Sequence, residues 1–168
     1  SSERVLFIPQ IYSNTIFEYA ETKSGQWELS KKYEGFFNRK PYSITEEKTG
    51  RSPDKSYYSV HMDEPLHLII HNQSRGLYKV RDYVFHFIQI DQNQRRVFGA
   101  EVFTSNFKPI GFIPIKSIPI TNDRVNRINW YVDEADQDGH FYFRELYRDS
   151  SRIRKMHLDL NKLHGYVD

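Results

Sequence analysis

Tyr83–Ile90 reads Y-V-F-H-F-I-Q-I, Asp91-Gln92-Asn93-Gln94 follows, and Arg95–Thr104 returns as R-R-V-F-G-A-E-V-F-T. Apolar residues occupy both parities of the first run. A pleated strand sends successive side chains to opposite faces, so this run reads as a strand covered on both sides. The polar tetrapeptide turns the chain, and the second run pairs back as a hairpin. A buried antiparallel hairpin sets the expectation for everything on either side of it.

Upstream, Thr15–Glu21 reads T-I-F-E-Y-A-E, then Thr22-Lys23-Ser24-Gly25, then Q-W-E-L-S-K-K-Y. The glycine-containing connection predicts a second hairpin. Alternation places Phe17 and Tyr19 on one face, and Trp27, Leu29 and Tyr33 on one face of the next strand. Shorter strands are expected at Tyr57–Met62 and Leu66–His71, separated by the Asp63-Glu64-Pro65 turn. Ser43–Ser56 reads as a long loop. Downstream, a last hairpin is expected from Ile128–Val132 and His140–Arg148. The tail, Ser150–Gly165, fits a strand slightly better than a helix.

Composition agrees. The chain has 15 Ile, 9 Val, 12 Tyr and 12 Phe against 3 Ala, 9 Leu and 2 Met. β-Branched and aromatic side chains suit a pleated surface, whereas Ala, Leu and Met favour helices. The expectation is an all-β chain: one antiparallel β-sandwich of about ten short strands spanning residues 1–168, with a short C-terminal helix as the alternative for the tail.

With 24 basic and 22 acidic side chains, the balance of +2 offers no general attraction to nucleic acid or anionic lipid. No apolar run has the roughly 20 residues of a membrane helix. Without cysteine there is no disulfide, zinc knuckle or thiol nucleophile. The chain opens Ser1-Ser2-Glu3 without methionine, as a processed protein or an excised domain does, and a secreted or extracytoplasmic location is slightly favoured.

Enzyme signatures are missing: there is no G-x-S-x-G, P-loop, G-x-G-x-x-G or H-E-x-x-H. The reading leans away from an enzyme, and no cofactor is expected. His67 and His71 share a strand face but stand about 13 Å apart at a rise of ~3.3 Å, too far for one ion. His61 could join them only from another strand. Arg144, Arg148, Arg152, Arg154 and Lys155 form a basic cluster interleaved with Glu145 and Asp149. It reads as a solvated face with cross-strand ion pairs rather than a nucleic-acid surface.

Asp133-Glu134-Ala135-Asp136-Gln137-Asp138-Gly139 packs four carboxylates into one turn. Glu134, Asp136, Asp138, Gly139 and Glu145 resemble positions 1, 3, 5, 6 and 12 of an EF-hand loop, which would imply Ca²⁺. Position 1 is Glu where that family has Asp, and the flanks I-N-W-Y-V and H-F-Y-F alternate as strands do. Glu134, Asp136, Asp138 and Glu145 are candidate metal ligands, set against a solvated hairpin tip. Asp136–Phe143 is also similar to the D-x-D-G-x-F-x-F hairpin of transthyretin-like, carboxypeptidase-regulatory-type β-sandwich modules. That resemblance implies a sandwich, and a turn that does no chemistry and precedes an edge strand.

Two features point to a partner. In Gly111–Thr121, G-F-I-P-I-K-S-I-P-I-T, proline cannot donate to a ladder, so this segment belongs at a sheet edge. Alternation sets Ile113 and Ile115 against Ile118 and Ile120. Aromatics reach 15% of the chain, and they crowd at Tyr33, Phe36, Phe37 and Tyr42. Such rings give contact area at low entropy cost. The expected function is a non-enzymatic binding or structural module that mediates protein–protein contact within a larger protein or assembly. Ile113, Ile115, Ile118, Ile120, Trp27, Tyr33 and Trp130 are the candidate contacts. The alternative is a carbohydrate-binding or carbohydrate-active β-domain using exposed aromatics such as Trp27 and Trp130 with carboxylates.

Overall fold

The computed structural model describes residues 4–9, 15–35, 73–119 and 129–163. The expected strands at 57–62 and 66–71, the loop at 43–56, and Phe36, Phe37, Tyr42, His61, His67, His71 and Ile120 lie outside them. The described chain is nearly all strand and contains no α-helix. It forms β1 (Val5–Pro9), β2 (Thr15–Glu21), β3 (Trp27–Glu34), β4 (Gln73–Val80), β5 (Tyr83–Gln92), β6 (Arg95–Thr104), β7 (Pro109–Pro119), β8 (Trp130–Ala135), β9 (His140–Leu146) and β10 (Ser151–His157). All described pairings are antiparallel, in three sheets ordered β1-β2-β3, β4-β5-β6-β7 and β10-β9-β8. The tail is a strand followed by a single 3₁₀ turn, Leu160–Lys162, with Asp159 accepting from the backbone N–H of Asn161 at 3.0 Å. No longer C-terminal helix forms among the described residues.

β5 and β6 are the centre. Gln92 pairs with Arg95 across a two-residue turn in which Asn93 and Gln94 both have positive φ, 50° and 58°. That geometry matches the twist of the flanking strands. One face of the pair carries Phe85, Phe87, Phe98, Ala100 and Val102. These pack against Trp130 and Val132 of β8, Phe141 and Phe143 of β9, and Leu158. Phe87 meets Phe141 and Phe143 edge-on at centroid distances of 5.1 and 5.6 Å, the arrangement that ring quadrupoles favour. The opposite face is also buried. At one end, Val84, Phe103 and Phe107 contact Ile16 of β2; at the other, Ile88 and Ile90 contact Phe112. The expectation of a strand covered on both sides is met.

Among the described residues β7 stands at the edge of its sheet, where its prolines suit it. Its faces differ from simple alternation. Gly99 pairs with Pro114 and Phe98 with Lys116, so Ile115 is an extra residue, a β-bulge. The bulge resets the parity, and Ile113, Ile115 and Ile118 all face the same core. Opposite the bulge, Gly99 lies under the Phe112 ring and against the Ile113 carbonyl, where a Cβ would collide with both. We predict that Gly99→Ala lowers the unfolding free energy by roughly 1–3 kcal/mol, as overpacking does. Denaturant melts that matched wild type would show that β7 is not held this closely.

Candidate functional site

The second bulge shapes the surface of β1–β3. Glu18 pairs with Lys31 and Tyr19 with Leu29, which leaves Ser30 as the extra residue of β3. The parity of β3 therefore changes midway. Trp27 and Leu29 point to the outer face, while Tyr33 turns inward and stacks on Phe107 with ring centroids 4.4 Å apart. Alternation alone had placed these three together.

The inner face also holds Glu18, which is buried. It accepts from the Tyr33 hydroxyl and from Ser30 Oγ at 3.0 Å, and Lys31 Nζ lies 3.7 Å away. The Tyr33 hydrogen bond leads in holding the Glu18 carboxyl below its usual range. Burial, reinforced by Glu18, pushes the Tyr33 phenol up to about 12. Tyr33 is thus an inward anchor between β3 and its partners.

The outer face is apolar over three strands. The register aligns Leu6 with Tyr19 and Leu29, and Ile8 with Phe17. Trp27 completes the row. Leu6, Ile8, Trp27 and Leu29 are 42–47% exposed, and Phe17 and Tyr19 are half-buried. Cations rim the patch: the Arg4 guanidinium sits 5.9 Å from the Trp27 ring while pairing with Glu21, and Lys32 Nζ sits 5.6 Å from the Phe17 ring. β1 is an edge strand, so its backbone is open to pairing among the described residues.

The other candidate contacts lie elsewhere. Ile113 and Trp130 are 4% and 7% exposed, and Ile115 and Ile118 are half-buried against the same core. Strand β1, with Leu6 and Ile8, escaped the sequence reading. Its V-L-F-I-P run does not alternate with polar residues, and five residues are too few to show a period.

The acidic turn is the tip of the β8–β9 hairpin. Asp136 accepts from the His140 backbone N–H at 2.9 Å, lies 3.1 Å from His140 Nδ1, and has Lys155 Nζ at 3.6 Å. The backbone hydrogen bond, followed by the His140 ring and Lys155, holds its carboxyl down to about 2. Asp133 pairs with Arg144 at 3.0 Å. Asp136, Asp138 and His140 bring potential ligand atoms within 4.8 Å of one another, whereas Glu134 and Glu145 do not join them. β9 lies between β8 and β10, so it is a central strand and not the edge strand the transthyretin-like resemblance implied.

Glu145 is instead the hub of a contact between sheets. It bonds Lys116 of β7 at 3.3 Å and Arg154 of β10 at 3.2 Å. Both cations also lie over the Trp130 ring, at 4.8 and 5.8 Å. The Trp130 indole N–H acts first in lowering the Glu145 pKa. Tyr147, Arg154 and Lys116 follow, bringing it to about 2. Arg144, Arg154 and Lys155 are thus engaged in ion pairs with carboxylates of neighbouring strands and their turn, as expected. Comparison with protein-family models, curated proteins and solved structures finds no match.

Two predictions follow from these charges. A depressed carboxylate stabilises the fold above its unfolded pKa of 4.5, and that stability is lost as pH falls towards the folded value of about 2. Glu145→Gln should therefore cost about 1 kcal/mol near neutrality, its cations being partly screened by water. The difference in melting temperature from wild type should shrink between pH 5 and about pH 2; a constant difference would contradict the assignment. For the acidic turn, Asp133 and Asp136 already face the cations of Arg144 and Lys155. Calorimetric titration should show no micromolar Ca²⁺ binding, and such binding abolished by Asp136→Ala would overturn this.

Proposed function

We propose that the chain is a β-sandwich binding and structural module that mediates protein–protein contact through the outer face of β1–β3. The supporting observation is the row Leu6, Ile8, Phe17, Tyr19, Trp27 and Leu29, which crosses three strands in register. Contiguous exposed apolar surface rimmed by charge is the hallmark of interaction sites. The occupant it suits is a protein surface with its own apolar centre, bordered by carboxylates that can meet Arg4 and Lys32. Edge strand β1 adds the option of backbone pairing with that partner. Among the described candidate contacts, Trp27 lies on this face. A sugar ligand would use the same aromatics, Phe17, Tyr19 and Trp27, as a stacking platform.

Leu29→Lys and Trp27→Ala separate these readings. Both side chains are exposed, so unfolding free energies should stay within about 0.5 kcal/mol of wild type. A protein retained quantitatively by wild type and released by both variants supports the docking role. Retention by both variants excludes this face. Glycan-array binding lost in Trp27→Ala alone would give the site to carbohydrate.

A further inference from the structure

Three polar side chains form a chain across the face of the central sheet that looks towards β2. Ser74 Oγ of β4 lies 2.9 Å from Nε2 of His86 on β5, and His86 Nδ1 lies 3.1 Å from Oε2 of Glu101 on β6. The His86 and Glu101 side chains have no exposed surface. They sit between the apolar clusters around Phe103 and Phe112, with Gly35 packed directly on both Glu101 carboxylate oxygens. Ser74 alone is partly exposed. A buried polar pair needs its hydrogen bonds, but this one has a direction as well. With the carboxylate accepting at Nδ1, the imidazole proton resides on Nδ1, and Nε2 offers its lone pair to the serine hydroxyl. That is the connectivity of a nucleophile, its base and the group that orients the base.

The serine stands at a local break in the strand. The β4–β5 register shifts between Ser74 and Gly76, and Gly76 has φ 139°, a conformation open to glycine. Bulges of this kind re-aim a side chain. Here the shift keeps Ser74 on the His86 face where the pairing changes step.

We propose that Ser74 is a base-activated nucleophile able to accept an acyl group from an activated ester. In that step Ser74 Oγ bonds to the carbonyl carbon and its proton passes to His86 Nε2. The ester C–O bond then breaks, and the departing alkoxide takes the proton from Nε2. Glu101 is a positioning residue that holds the imidazole tautomer. This role is independent of the docking surface on β1–β3, and either can fail without the other.

The test uses a fluorophosphonate on the folded chain, with mass spectrometry to locate the adduct. Oγ bonds to phosphorus, fluoride leaves, and His86 takes the proton. Expected is an adduct on Ser74 formed at least tenfold faster than on exposed Ser24 and abolished by heat denaturation. His86→Gln should slow it about 100-fold or more, the scale of general-base assistance. Should that variant fail to fold, Ser74→Cys replaces it: alkylation of the thiol by iodoacetamide should run at least tenfold faster in the folded chain than in the heat-denatured one, as a thiol activated by a neighbouring base does. Labelling of Ser74 no faster than Ser24, or undiminished in His86→Gln, would overturn the proposal and leave Ser74, His86 and Glu101 as a structural hydrogen-bond ladder.

Discussion

Burial of the β5–β6 ladder on both faces is the constraint on which the rest depends. A two-stranded ladder has two apolar faces to cover, and each needs another element against it. β8 and β9 cover one with Trp130, Phe141 and Phe143, and β2 brings Ile16 to the other. Large rings suit this role because a few of them fill the space between sheets, and their edge-to-face contacts set the approach of β9 onto β5. The same constraint explains why the polar members of these strands are so carefully paired. His86 and Glu101 fall within a ladder that water does not reach, so each depends on partners supplied by neighbouring strands.

Bulges then decide what the sheets display. An extra residue at Ser30 separates Tyr33 from Trp27 and Leu29, converting one side chain into an inner anchor and leaving two outside. An extra residue at Ile115 does the reverse, gathering Ile113, Ile115 and Ile118 onto a single buried face. Exposed apolar side chains accordingly gather on β1–β3, around Trp27, while Ile113, Ile115 and Ile118 of β7 pack into the core. Glu145 and its cations tie β7 to β9 and β10 across the core, a polar clasp at the rim of an aromatic interior.

Much of this was legible in the residues. Double-sided apolarity at Tyr83–Ile90 announced the buried central strand, prolines 114 and 119 announced an edge, and the scarcity of alanine excluded a helical bundle. Cross-strand pairing of the basic residues around Arg144 and Arg154 followed from alternation. Strand β1 was hidden by its shortness, and β4 by a composition, Q-S-R-G-L-Y-K-V, that carries little β signal apart from Tyr78 and Val80.

Sequence by itself therefore determined the class of structure, the central hairpin and the edge position of β7 among the described strands, because each rests on local chemistry: side-chain shape, period and a missing N–H. Tertiary structure alone decided which side chains share a face and which meet across strands. Face assignment counts residues in twos, and one bulged residue reverses the parity of everything beyond it while leaving the composition unchanged. The Ser74, His86 and Glu101 alignment has the same origin, since three residues 12 and 15 positions apart become neighbours only when the register of two ladders places them side by side.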